Sequence, residues 1–544
     1  MDKNKSEKLR SVMFAGTGSD VGKSVIAAAF CRIFRQDGYH PAPFKAQNMA
    51  LNSYVTSEGL ELGRAQAVQA EAAGVSCHTD MNPLLLKPSG DCTSQVVLNG
   101  RPIGNQSAQT YFREEGRAEL VKEVNAAYDR LAERYNPIVM EGAGSISELN
   151  LRKVDLVNLP MACHADAAVI LVADIDRGGV FASVYGSVML QTEEDRRRIK
   201  GILINKFRGD MNLFTDRVKM IEDLCGVPVV GVVPYYKDIY IEEEDSVMLK
   251  TKKLDAMQGK INIAVVLLRH MSNFTDFNVL ERDERVHLFY TNNTDELQKA
   301  DIILIPGTKN TLDDLYELRR NGVAQAVMQA HRDGATVMGI CGGYQMMGME
   351  VCDPDHVEGD IDRLPGLGLL PVTTRLTKEK VTRQVTFRMA VGNDYQDLHS
   401  LANHSSDDSG RDANNLCRGY EIHMGETSFL PEAKALPFTY IVGEEDGISN
   451  NPETTHLEAS GEMLFDASKN GCFVSNRCVG TYLHGILDNA PVIDFLLQPF
   501  LEKASSKTTF NYAVFKEEQY DKLAAHIRQH VDMGLVYKIM KSSG

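Results

Sequence analysis

Twice in this chain an apolar run of β type breaks into a glycine-rich turn and then into helical periodicity. A strand that ends this way needs parallel neighbours and a helix packed back over the sheet, so two such junctions commit the chain to α/β architecture. At the first junction Val12-Met13-Phe14-Ala15 runs into Gly16-Thr17-Gly18-Ser19-Asp20-Val21-Gly22-Lys23-Ser24. At the second, Thr336-Val337-Met338 runs into Gly339-Ile340-Cys341-Gly342-Gly343-Tyr344-Gln345. The first has the composition of a phosphate cradle. The second sets a cysteine on a tight strand-to-helix turn.

A chain of 544 residues exceeds one ordinary core, so more than one domain is expected. In the first half, strand-like runs at 12–15, 138–140, 168–173, 201–205 and 227–233 alternate with amphipathic stretches such as 118–135. That alternation predicts a parallel sheet flanked by helices. A charged, irregular passage at 242–260 breaks the pattern and predicts a boundary, giving domains 1–250 and 261–544. New strands are expected at 261–268, 301–306 and 335–340, again in an α/β context. The polar stretch 399–415 reads as an exposed loop, and 502–544 as terminal helices.

The formal net charge of −16 argues against general affinity for nucleic acid or an anionic membrane. The N-terminal MDKNKSEKLR has no apolar core behind it and no run approaches a membrane span, so a cytoplasmic protein is expected. Ten cysteines are scattered with no C-x-x-C pair, which points neither to a zinc site nor to a disulfide framework.

A phosphate cradle needs inward-facing backbone N–H groups, glycines that permit the turn, and a helix N-terminus behind it. Gly16, Gly18 and Gly22 supply the turn, and Thr17 lies within it. Lys23 can reach the β- and γ-phosphates of ATP, and the Ser24 hydroxyl can ligate Mg²⁺. The loop is one residue longer than the common P-loop. A P-loop of this form, G-T-x-x-x-V-G-K-[ST], resembles the dethiobiotin synthetase branch, which phosphorylates a carboxylate or carbamate with ATP. The resemblance implies that Lys45 steadies transferring phosphate charge and that Glu141, in Glu141-Gly142-Ala143-Gly144, binds Mg²⁺. Where that branch carries a further aspartate, this chain reads Gly63-Arg64-Ala65-Gln66. Asp174 could serve the metal as a strand-end acid or could be a turn residue, and Asn205-Lys206 partly matches a nucleotide-base reader.

A free thiol is a weak nucleophile at neutral pH and needs a base and a favourable turn. Cys341 lies between a strand and a helix, and its glycines allow a strained elbow. The backbone N–H groups of Gly342 and of Gly307, in Pro306-Gly307-Thr308, are candidate oxyanion donors. His484, in Tyr482-Leu483-His484-Gly485, is the expected base, with His423 the second choice or a wall of the glutamine pocket. The order of these elements resembles the class I glutamine amidotransferases. Those enzymes follow the histidine with Pro-Glu, whereas here Gly485-Ile486 follows; the missing orienting group is either supplied from elsewhere, Glu421 being one candidate, or absent.

Both halves together resemble the cobyrinic and cobyric acid amidating enzymes of cobalamin biosynthesis, and within them the cobyric acid synthase family. The resemblance rests on Pro43-Phe44-Lys45-Ala46-Gln47-Asn48-Met49, Met81-Asn82-Pro83, Glu141-Gly142-Ala143-Gly144-Ser145, Asp174-Ile175-Asp176-Arg177-Gly178-Gly179, Asn205-Lys206-Phe207-Arg208 and Gly419–Gly425. It implies a dethiobiotin-synthetase-like P-loop domain followed by a class I amidotransferase-like α/β domain. It further implies ATP, Mg²⁺, L-glutamine and adenosylcobyrinic acid a,c-diamide as cofactors and partners, with amidation at the b, d, e and g carboxylates through acyl phosphates. The alternatives are a cobyrinic acid a,c-diamide synthase and a P-loop regulatory ATPase with a degenerate glutaminase domain.

Overall fold

The computed structural model describes residues 8–88, 93–107, 117–211, 214–242, 253–390, 416–433, 435–444, 469–503 and 510–541. The polar stretch 399–415 therefore lies outside the described residues.

The chain divides into two compact units. The first comprises Met1–Ala50, Glu61–Glu244 and Ala513–Gly544, and the second comprises Leu51–Leu60 and Asp245–Tyr512. Two stretches thus depart from a simple division of the chain into 1–250 and 261–544. Residues 51–60 belong with the second unit, and the terminal helices from Ala513 onward belong with the first.

The first unit is built on six strands in the order Val229–Pro234, Ile199–Phe207, Ala168–Asp174, Val12–Gly16, Ile138–Glu141, Ala42–Phe44. Every pairing in it is parallel. Its central strands are near-continuous apolar runs because helices cover both faces, and Val12–Gly16 is buried throughout. On one face the helix Lys23–Gln36 packs with Tyr520, Leu523, Ile527 and Val536 of the terminal helices. The helix Arg117–Arg134 closes the other through Val124, Tyr128 and Leu131. A smaller four-stranded sheet, Gln47–Met49, Leu84–Pro88, Thr93–Leu98 and Arg101–Ser107, completes the unit.

The second unit has its own six-stranded sheet, ordered Val286–Thr291, Ile261–Val266, Ile302–Ile305, Thr336–Ile340, Cys478–Thr481, Cys472–Ser475. All neighbours are parallel except the last pair. Beside it lies a mainly antiparallel sheet built on the long strands Val372–Met389 and Cys417–Phe429, with Leu483–His484 at one end of the path.

In both parallel sheets the residues singled out from sequence fall at carboxyl ends of adjacent strands. Open parallel sheets bind ligands there, because the loops that leave the strands converge on one edge.

Candidate active sites

In the first unit, the turn after Val12–Gly16 leads into the helix Lys23–Gln36. Gly22 caps that helix with φ +99, a left-handed conformation that glycine adopts without penalty. Among the described residues no side chain caps the helix, so its first N–H groups are available to an anion. A methyl group on Gly16 would lie 2.8 Å from the carbonyls of Gly18 and Gly144 and from Lys23 Nζ, so this turn leaves space for nothing larger than hydrogen.

Four side chains converge at the end of the neighbouring strand Ile138–Glu141. Ser24 Oγ donates to Glu141 Oε1 at 2.8 Å, and Lys45 Nζ lies 2.8 Å from the same oxygen. Gln69 Nε2 donates to Glu141 Oε2 at 2.7 Å. Burial alone would raise the Glu141 carboxyl, but Lys45, Gln69 and Ser24 outweigh it and hold the group below the usual carboxylate range. Lys23 donates to the carbonyls of Gly18 at 2.9 Å and Gly144 at 3.1 Å, and burial lowers it to about 8. Gly16, Thr17, Gly18, Gly22, Lys23, Ser24, Lys45 and Glu141 are all brought to one edge of the sheet, as the sequence reading expects.

Gln69 was not singled out from sequence. It lies on the buried helix Arg64–Ala73, one turn beyond the position where a second carboxylate was sought. Its Oε1 is buried without a partner among the described residues. Arg64 instead forms a buried ion pair with Glu242 at 2.6 Å. No group of three or more His, Cys, Asp or Glu residues is arranged to hold a metal among the described residues. A serine hydroxyl, one carboxylate and an amide oxygen are nevertheless hard oxygen donors of the type Mg²⁺ prefers, together with water and phosphate. The residues present fit that ion.

Asp174 is engaged elsewhere: Lys206 Nζ lies 3.0 Å from it, and Asp174 Oδ1 accepts from Asp176 N at 2.8 Å. Asn205 Nδ2 donates to the carbonyl of Val21 at 2.9 Å, which braces the phosphate turn.

In the second unit the strand Thr336–Ile340 ends at Cys341, which has φ +54 and ψ −113 and heads the short helix Gly342–Met347. A positive φ at a non-glycine residue stores strain and holds the side chain out of the turn. The turn leaves no room for a methyl group at Gly343, whose Cβ would meet the Ile305 carbonyl at 2.0 Å. Gly342 abuts Thr308, and Gly307 abuts His484 Cε1, so the two candidate oxyanion donors flank the cysteine–histidine pair.

His484 is buried beside Cys341, whose Sγ donates to the Ile422 carbonyl at 3.7 Å. Its Nδ1 donates to Asp276 Oδ2 at 2.7 Å, and Asp276 Oδ1 accepts from Gly485 N at 3.0 Å. Burial pulls the imidazole down, yet Asp276 and Cys341 prevail and raise it to about 10. Asp276 therefore holds the position that the sequence reading sought for Glu421. Glu421 is occupied by Arg383 and Asn470 and makes no bond to His484. The reason is its strand position: in the ladder Glu421 pairs with Leu483, while Tyr420 pairs with His484 and stacks on it, ring centroids 5.4 Å apart.

His423 stacks on Tyr482 at 3.7 Å, and its Nδ1 has no partner among the described residues. Burial lowers it to about 3, so it is neutral and unsuited to act as the base. Gln345 is fixed by three bonds, to Met424 O, Tyr482 Oη and Thr311 Oγ1. Asp276 gave no sequence signal, since it lies 208 residues from its partner in the mixed stretch Asn273-Phe274-Thr275-Asp276-Phe277-Asn278, which has no local pattern.

Residues 12–247 match the CobQ/CobB/MinD/ParA nucleotide binding domain, and residues 262–492 the CobB/CobQ-like glutamine amidotransferase domain. The chain is 69% identical to the cobyric acid synthase of Bacteroides fragilis over 98% of this chain and 99% of that one. It is 66% identical to that of Phocaeicola vulgatus over 99% of both, and 44% identical to that of Salmonella choleraesuis over 98% of both. With a nucleotide-binding unit and a glutamine amidotransferase unit joined in one chain, and relatives matched from end to end, this enzyme belongs to the cobyric acid synthase family.

Proposed function

We propose that this enzyme uses ATP and glutamine to amidate the b, d, e and g carboxylates of adenosylcobyrinic acid a,c-diamide. The observation that carries the reading is the presence, in one chain, of a phosphate turn focused on Glu141 and a cysteine elbow focused on His484. Full-length identity of up to 69% to cobyric acid synthases supports the corrinoid substrate.

In the first unit the turn N–H groups and Lys23 hold the phosphates of ATP. Ser24 and Glu141 would hold Mg²⁺, which when bound offsets phosphate charge. Lys45, beside Glu141, lies where it can follow the transferring phosphoryl group. A substrate carboxylate oxygen attacks the γ-phosphorus, ADP leaves, and an acyl phosphate results.

In the second unit the proton shared by Cys341 and His484 rests on the imidazole, and the Cys341 sulfur attacks the side-chain carbonyl carbon of glutamine as the thiolate. The Gly342 and Gly307 N–H groups meet the developing oxyanion. His484 returns the proton to the departing nitrogen, and ammonia leaves behind a thioester that water hydrolyses to glutamate. Asp276 keeps His484 in the tautomer that presents Nε2 to the cysteine. Ammonia then displaces phosphate from the acyl phosphate to give the amide.

The test is a nitrogen-source assay. Cys341→Ala abolishes glutamine-driven synthesis, by about 10³-fold or more, and retains synthesis with free ammonia. Lys23→Ala stops both. Full glutamine-driven turnover in Cys341→Ala, or normal rates in Lys23→Ala, would contradict the reading.

A further inference from the structure

The segment Leu51–Leu60 is part of the second unit, although the chain on either side of it belongs to the first. Inside the second unit it makes a reciprocal pair of bonds with the turn that carries Asp276. Asn52 Oδ1 accepts from Phe274 N at 3.1 Å, and Asn273 Oδ1 accepts from Ser53 N at 3.0 Å. Asn52, Ser53 and Asn273 are each no more than 2% exposed. Asn273 takes φ +52, the left-handed region that asparagine tolerates better than other non-glycine residues, and starts the 3₁₀ turn Phe274–Phe277. Tyr420 Oη donates to the Ser53 carbonyl at 3.3 Å, and Gln384 Nε2 to the Val55 carbonyl at 2.6 Å. Val55 packs with Tyr420 and Ile422.

Each point held by this segment bears on one member of the glutaminase constellation. The Phe274–Phe277 turn carries Asp276, Tyr420 stacks on His484, and the Ile422 carbonyl lies 3.7 Å from Cys341 Sγ. We propose that residues 52–55 form a positioning clasp: through Asn52, Asn273 and Tyr420 they fix Asp276 against His484, so that a stretch of the nucleotide-binding half of the sequence completes the glutamine site. The proposal rests on the assignment of His484 and Asp276 above. A broken clasp leaves a buried N–H without its acceptor, and the turn relaxes away from His484 to satisfy it.

The ionisable groups that face His484 are Asp276 from the Phe274–Phe277 turn and Cys341 from the elbow, with neutral His423 on the adjoining long strand. Tyr420 covers the ring, and neighbouring Glu421 is paired with Arg383. A loosened Asp276 therefore lets His484 lose its proton at lower pH, and the alkaline limb of glutamine hydrolysis reports the clasp.

The experiment compares Asn52→Ala, Asn273→Gly and Asp276→Asn in the full chain, measuring kcat, KM and pH profile for glutamine hydrolysis. Asn273→Gly keeps the left-handed turn and removes only the acceptor, so it reports the bond rather than the fold. Asn52→Ala and Asn273→Gly are expected to lower kcat by about tenfold or more, a common cost of losing an outer-shell partner. The KM for glutamine stays within about twofold, and the alkaline limb moves down in the direction set by Asp276→Asn. Native kcat and an unmoved limb in Asn273→Gly, beside a moved limb in Asp276→Asn, would overturn the clasp and leave the triad standing. A lower kcat without a limb shift would also overturn it, as a purely structural effect. An unmoved limb in Asp276→Asn itself would overturn both.

Discussion

Single residues decide the chemistry at each site, and Asp276 is the clearest case. It accepts from His484 Nδ1 and from the backbone of Gly485, so it fixes both the ring and the turn that carries it. Because Asp276 and Cys341 lift His484 to about 10 against the pull of burial, the imidazole remains protonated beside the thiol across neutral pH. Asp276→Asn removes a raising influence, so the alkaline limb of glutamine hydrolysis moves to lower pH. The rate falls by about 10²–10⁴-fold, while ammonia-driven synthesis is unchanged. Glu421→Gln, which does not touch His484, leaves the limb where it was. A profile moved by Glu421→Gln and not by Asp276→Asn would reverse the assignment. Cys341, Lys23 and Ser24 were legible in the sequence because each sits in a short local pattern whose geometry needs it. Asp276 and Gln69 were not, because their partners are brought to them only by the sheet and by a turn distant in sequence.

At the scale of elements, both sites depend on the close approach of one strand end to the next. Gly343 shows how little tolerance there is, since its Cβ would lie 2.0 Å from the Ile305 carbonyl oxygen and 2.8 Å from that of Pro306. Those are backbone atoms of the segment that also presents Gly307, so Gly343→Ala separates the elbow from its oxyanion donor. Losing one such donor costs about 10²–10³-fold in rate. Glutamine hydrolysis should fall at least that far, and a rate within about threefold of native would refute the packing argument. The parallel strands were readable because burial on both faces makes them continuous apolar runs. Val372–Met389 was not readable, since its RLTKEKVTRQ segment looks like a solvated surface, and much of it faces water in the fold. The nominated boundaries moved by only a residue or two where a strand was recognised, as with Ile138–Glu141 and Ala168–Asp174.

At the scale of the whole molecule, chain order and spatial units differ. The terminal helix Tyr512–His530 belongs mostly to the nucleotide-binding unit, where Arg32 meets both Glu517 and Asp521, and Leu523 is buried among Phe14, Phe30 and Phe34. Truncating a buried leucine costs about 2–5 kcal/mol. Leu523→Ala should therefore lower the melting temperature of the ATP-dependent activity by several degrees, and an unchanged melting temperature would show that these helices do not hold that unit together. The sequence pattern marked the tail as helical but could not assign it to a unit, because nothing local records which core a distant amphipathic face will cover.

On the proposed reading, one enzyme spends ATP in one unit and glutamine nitrogen in the other to amidate a corrinoid. Mass spectrometry of adenosylcobyrinic acid a,c-diamide incubated with this enzyme, ATP, Mg²⁺ and amide-¹⁵N glutamine tests it most directly. The expected product carries four new amides, each labelled, and none forms when ATP is withheld. Unlabelled amides, or none while ATP and glutamine are both consumed, would contradict it.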